Sequence, residues 1–143
     1  MNITNRLESL IEEQNIDGVC VGDGIRTLKL NEVKEHFPID PDTNVIGVIN
    51  CSVWGPLKYG LIITEDGLIW RNQSSQGLRD NLSWSELLGI KNYISVDNSI
   101  LNFGNYGYLD MQNSNKCTTT DAFNLMHTLS DFITNYQKTW NIN

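Results

Sequence analysis

Apolar positions recur with a helical period at the two ends of the chain and in strand-like runs between them. Leu7, Leu10 and Ile11 fall at i, i+3 and i+4, so residues 4–14 read as a short amphipathic helix capped by Asn2 or Thr4. Val19-Cys20-Val21, the Gly22-Asp23-Gly24 turn and Ile25 to Lys29 read as a small hairpin. Asn31 can cap a second short helix, Glu32 to Phe37, which Pro38 ends. At the other end, Ala122, Phe123, Met126, Leu129, Phe132, Ile133 and Tyr136 trace one helical face as far as about residue 137. Thr118-Thr119-Thr120-Asp121 offers its caps. Such a stripe must dock on another element to leave water.

Between these helices the pattern is that of a sheet. Val45 to Asn50 is a run rich in β-branched residues, which suits a strand covered on both faces. Tyr59 to Thr64 and Leu68 to Arg71 are strands joined through Glu65-Asp66-Gly67, with Gly67 taking the left-handed position of a tight hairpin. The segment around Gly55-Pro56 and the polar stretch Asn72 to Asn81 read as loops. Leu82-Ser83-Trp84 resumes the sheet, and Ser85 caps a turn through Leu88. Tyr93 to Val96, Ile100 to Phe103 and Tyr108 to Met111 are three further short strands, turning at Asp97-Asn98 and Gly104-Asn105-Tyr106-Gly107. Strands this closely spaced form an antiparallel meander rather than a parallel βαβ sheet. The fold class is therefore α+β. The 143 residues fit one domain, and no repeat or linker interrupts them.

Two segments carry a family resemblance. Tyr59-Gly60-Leu61-Ile62-Ile63-Thr64-Glu65-Asp66-Gly67-Leu68-Ile69-Trp70 and Ser83-Trp84-Ser85-Glu86-Leu87 are similar to the hairpin and Ser-Trp-x-Glu-Leu segments of bacterial pleckstrin-homology-like (PH-like) proteins. The resemblance spans residues 44–87, and the element order extends it to the closing helix. It implies an antiparallel PH-like sheet or partial barrel closed by the C-terminal amphipathic helix over residues 44–143. Residues 1–43 are then a helical N-terminal extension packed on the same domain. The matching residues are structural, among them two tryptophans, Trp70 and Trp84, that would pack together in the core. The resemblance implies a binding scaffold and carries over no ligand. PH domains that bind phosphoinositides place several basic residues between their first strands, whereas Val45 to Thr64 offers only Lys58.

Charge narrows the partner. Seventeen acids against ten bases give a formal net charge of −7. No basic cluster exists to neutralise phosphates, which disfavours nucleic acid and anionic membranes. Residues 1–42 hold nine of the acids against four bases. This is either a solvated face or a docking surface for a basic partner. The N-terminus lacks the apolar core of a signal peptide, and no run of about 18 apolar residues occurs. The expected address is the cytoplasm, where Cys20, Cys51 and Cys117 are small buried hydrophobes.

Candidate chemistry is sparse. His127 and Asp131 lie one helical turn apart, the spacing by which a carboxylate can orient an imidazole, yet such a surface pair is ordinarily incidental. Cys51 has no neighbouring base in sequence. Glu65 and Asp66 share a turn tip, whereas a metal or glycosidase site needs acids converging from separate elements. The glycine turns at 22–24 and 104–107 lack the Gly-Lys-Ser/Thr ending of a phosphate loop. No zinc-ligand spacing appears, so no cofactor or metal is expected.

The expectation is a non-catalytic protein-binding module, most concretely an acidic inhibitor or immunity-type protein that neutralises a basic partner such as a toxin nuclease. Its carboxylates would mimic phosphate and steer association. The candidate contact residues are the acids Glu12, Glu13, Asp17 and Asp23 with the aromatics Trp54, Tyr106 and Tyr108, because aromatics beside acids make plausible hot spots. A small-molecule or lipid sensor is the alternative, and a cryptic hydrolase using Cys51 or His127 the third reading.

Overall fold

The structure is a computed structural model that describes residues 3–26, 33, 36–37, 39–52, 57–73, 80–114 and 116–140, apart from the side chains of 23, 26 and 138–140. It is an α+β fold with two antiparallel sheets. Helix α1 (Ile3–Gln14) leads into β1 (Val19–Val21) and a single helical turn, α2 (Asp23–Arg26). Strands β2 (Val45–Asn50), β3 (Gly60–Thr64), β4 (Gly67–Arg71) and β5 (Asn81–Ser83) follow, and with β1 they form a five-stranded sheet in chain order. Helix α3 (Trp84–Ile90) then leads to a three-stranded sheet, β6 (Ser95–Asp97), β7 (Ile100–Asn102) and β8 (Tyr108–Asp110). The long helix α4 (Thr119–Trp140) closes the fold. The described strands form these two sheets and no closed barrel. No helix among the described residues is long and apolar enough to cross a membrane.

The larger sheet is apolar on both faces, as the β-branched run of β2 predicts. Side chains alternate along the strands, and an irregularity between Val45 and Gly47 resets the alternation in β2. One face sends Ile46, Ile49, Leu61, Ile63, Leu68, Trp70 and Leu82 into the main core. There they meet Leu7 and Ile11 of α1, Leu87 of α3, Leu101 and Leu109 of the smaller sheet, and the stripe of α4. The opposite face presents Val48 and Ile62, with Cys20 and Ile69, to a second cluster made by Ile25, Val33, Phe37, Ile39 and Leu57. Residues 1–43 thus supply a strand of the sheet, a helix of one core and several members of the other.

Several local expectations change in the tertiary context. Val19–Val21 lies antiparallel to β2, with Cys20 opposite Val48, while residues 27–29 of the expected hairpin lie outside the described residues. Asp23–Arg26 is a helical turn. A three-residue strand gains more from the buried β2 than from a free-standing hairpin. The helix expected over 32–37 falls largely outside the described residues, although Phe37 donates its N–H to the Val33 carbonyl (3.1 Å). Helix α3 is capped by Ser83 rather than Ser85. Ser83 Oγ accepts the Glu86 N–H (3.1 Å) while a Glu86 carboxylate oxygen accepts the Ser83 N–H (2.9 Å), a reciprocal capping box. Trp70 stacks on Phe103, with centroids 4.6 Å apart. Trp84, buried in the same core cluster as Trp70, donates its indole N–H to the Glu65 carbonyl (2.9 Å).

The hairpin of β3 and β4 forms as its sequence predicts. The Thr64 hydroxyl donates to the Gly67 carbonyl (3.0 Å) and accepts the N–H groups of Asp66 and Gly67, both at 3.1 Å. Gly67 has φ of 150°, and a Cβ there would overlap the Leu82 carbonyl.

One side chain joins the two sheets. The buried Asn72 amide donates to the Tyr108 carbonyl (2.7 Å) and accepts the Asp110 N–H (2.8 Å), acting as a strand partner along the outer edge of β8. Asn72→Ala leaves both groups without that partner, and each costs roughly 1–3 kcal/mol where water cannot replace it. We expect Asn72→Ala to lower unfolding free energy by about 2 kcal/mol in urea titration. A loss below ~0.5 kcal/mol would show that packing alone holds the sheets together.

Candidate functional site

The polar side chains that converge do so at the hairpin end of the larger sheet. A cleft of about 370 Å³ opens there between the 40–43 connection, the β3–β4 hairpin, β5 and the start of α3. Its carboxylates among the described residues are Asp40, Asp66 and Glu86, accompanied by Thr43, Asn81 and Ser83, and no described Lys, Arg or His lines it. Local geometry places each acid. Glu86 is fixed by the capping box with Ser83. Asp40 accepts the Asp42 N–H (3.0 Å) in its turn. Asp66 is exposed at the hairpin tip. Its neighbour Glu65 turns instead to Asn44, accepting that residue's N–H (3.1 Å) and amide (3.4 Å), which ties the hairpin to the start of β2. The shared tip therefore divides into a structural acid and one that faces the cleft.

The N-terminal acids do not form one surface. Glu8 and Glu12 lie over Gly22, where an added Cβ would meet both carboxylates. Glu13 points to the opposite flank of α1, into a groove with Arg6 and Phe132. Asp17 is exposed in the turn before β1. The Asp23 side chain and the whole of Trp54 lie outside the described residues. Tyr106 packs against the main core. Tyr108 is half-buried, and its carbonyl holds Asn72. Among the described aromatics, Tyr93 stands in solvent, 74% exposed in a 3-10 turn rather than in a strand. A lone tyrosine at the end of a weak strand pattern gives no signal that separates these two outcomes.

Neither candidate nucleophile or base is set up for its expected chemistry. Cys51 and Cys117 are buried, and burial is the main cause that pushes their thiols up, to about 12 and about 11. The negative charges of Cys117 and Asp110 add to the effect at Cys51, and that of Asp121 at Cys117. Both remain protonated near neutrality, which disables them as nucleophiles. His127 packs against Phe123 (centroids 4.6 Å apart), and its buried Nε2 has no hydrogen-bond partner among the described residues. Asp131 is exposed and does not orient the ring through that nitrogen. Among the described residues no group of three or more His, Cys, Asp or Glu could hold a metal ion.

Compared with known proteins, the chain matches no family model, no curated protein and no solved structure.

The raised thiols have a pH signature. A group whose folded pKa lies above its unfolded value stabilises the fold fully below the unfolded value and loses that contribution as pH rises through the folded one. For Cys51 this window runs from the ordinary 9.0 to about 12. Urea denaturation should therefore show stability falling above pH 9, and Cys51→Ala should flatten the fall by about 1 kcal/mol per pH unit. An identical alkaline slope in the variant would show that other groups cause it.

Proposed function

We propose that this protein is a non-catalytic, PH-like binding module that captures a basic protein partner, most concretely as an inhibitor or immunity-type protein acting on a cationic target such as a toxin nuclease. The observation that carries the reading is the cleft at the hairpin end of the larger sheet. It presents Asp40, Asp66 and Glu86 from three different parts of the chain, with no cation among the described residues of its lining. Carboxylates held on a sheet hairpin, a turn and a capped helix move little, so a lysine or arginine meets them without an ordering cost on this side. The formal net charge of −7 adds a long-range field of the same sign and speeds encounter with a basic surface. The PH-like part of the reading draws on the order of elements: the strands β2 to β5, then the meander β6 to β8, then a closing helix.

The cleft volume is also that of a small-molecule site, which favours a sensor of a cationic metabolite as the second reading. A polyanionic lipid headgroup would meet like charge there.

The test is low-salt affinity capture from host lysate with two baits, the wild-type chain and the D40K/D66K variant. Glu86 is left intact because it caps α3. We expect one stoichiometric basic protein on the wild-type bait. Raising salt from about 50 mM to about 500 mM should release it, because screening shortens to a few ångströms. The double variant should bind at least tenfold less. The reading fails if nothing basic is retained or if D40K/D66K retains it equally. Thermal stabilisation of the wild-type by a polyamine, with no protein captured, would support the sensor.

A further inference from the structure

A second concavity lies between the two helices that pack side by side on the main core. The groove between α1 and α4 measures about 280 Å³ and is lined by Arg6, Ser9, Leu10, Glu13 and Phe132. Its four α1 residues are spaced i, i+3, i+4 and i+7, so they share one two-turn face. That face is distinct from the core face, carried by Leu7 and Ile11, and from the flank where Glu8 and Glu12 lie over Gly22. The floor, Leu10 and Phe132, is only partly buried. The charges at its ends are opposite and exposed. Arg6 is held in place over the rings of Phe132 and Tyr136, 5.3 and 5.7 Å from their centroids.

We propose that this groove is the interface of a two-fold homodimer in which α1 packs antiparallel against α1 of a second copy. The argument is one of charge register. Positions 6 and 13 are equidistant from the midpoint between positions 9 and 10. A two-fold axis through that midpoint sets Arg6 against Glu13 of the second copy, and Glu13 against Arg6 of the second copy. The same axis sets the small Ser9 against Leu10 of the second copy, so each leucine enters a groove where the facing side chain leaves room. A parallel arrangement would oppose arginine to arginine and glutamate to glutamate. A uniformly basic or uniformly acidic partner would satisfy one end of the groove and oppose the other. Self-complementarity of this kind is what an isologous two-fold interface requires. The surface is small and the association correspondingly weak and reversible. None of its residues lines the acidic cleft, so the dimer neither requires nor excludes the proposed partner.

Sedimentation equilibrium on the full chain, from roughly 10 µM to about 1 mM, tests the proposal over the range expected of a weak interface. The wild-type should show a reversible monomer–dimer equilibrium. Because each substitution acts twice across the axis, R6E and E13R should each weaken dimerisation by about tenfold or more. The double exchange R6E/E13R should restore it to within about threefold of wild-type. R6E also removes the stacking on Phe132 and Tyr136, so far-UV circular dichroism accompanies each variant, and E13R supplies a single reversal that leaves that stacking in place. A chain that is monomeric at every concentration, single reversals without effect, or a double exchange no stronger than the singles would each overturn the interface.

Discussion

The five-stranded sheet has two apolar faces, and both must be taken out of water. Every strand from β1 to β4 contributes side chains to both clusters, with Val48 and Ile62 on one side and Ile49, Leu61 and Ile63 on the other. A sheet with one wet face would need only the helices and the small sheet that cover the main core. This one needs a second cover, provided by Ile25, Val33, Phe37, Ile39 and Leu57. The placement of the N-terminal third of the chain follows from that requirement. Ile25, Val33, Phe37 and Ile39, between β1 and β2 in the chain, lie on that second face, while β1 sits beside β2 and α1 on the main core.

The same constraint decides where polar groups can gather. With both faces filled, surface chemistry is pushed to the ends of the strands and the flanks of the helices. The acidic cleft occupies one such end, where the hairpin tip, the capped start of α3 and the 40–43 turn come together. The α1–α4 groove occupies one such flank. Inside, most of the described polar groups are used, His127 Nε2 being an exception. Thr64 makes three hydrogen bonds within the hairpin, Ser130 donates back to the Met126 carbonyl (2.8 Å), and Asn72 completes the edge of β8. The buried thiols obey the same rule in another form, since burial holds them in the neutral state.

Charge counted along the sequence does not correspond to charge arranged in space. Glu12 and Glu13 are adjacent in the chain, yet the helix sends them to opposite flanks, one beside Gly22 and the other beside Arg6. Asp40, Asp66 and Glu86 are spread over 47 positions of sequence and meet in one cleft. The N-terminal excess of acid therefore resolves into small groups with different neighbours. Among the described residues, only Asp40 of that excess belongs to the cleft, and nothing in the one-dimensional tally marks it out.

What the sequence determined is what short-range physics determines. The apolar period of residues 122–136 demanded one long helix. The Thr64–Gly67 turn demanded a hairpin, and the β-branched run at 45–50 demanded a strand buried on both sides; all three stand. The cap of α3 is also legible, because Ser83 and Glu86 are three apart, although Ser85 offers a second hydroxyl that local pattern does not separate from it. Tertiary structure alone decided the partner of Val19–Val21, the arrangement of the described strands as two sheets without a closed barrel, the contact of Trp70 with Phe103, and the membership of the cleft. Each of these is a contact between residues distant in the chain. Its choice depends on which apolar surface is still uncovered once the local elements have formed, and no local pattern records that.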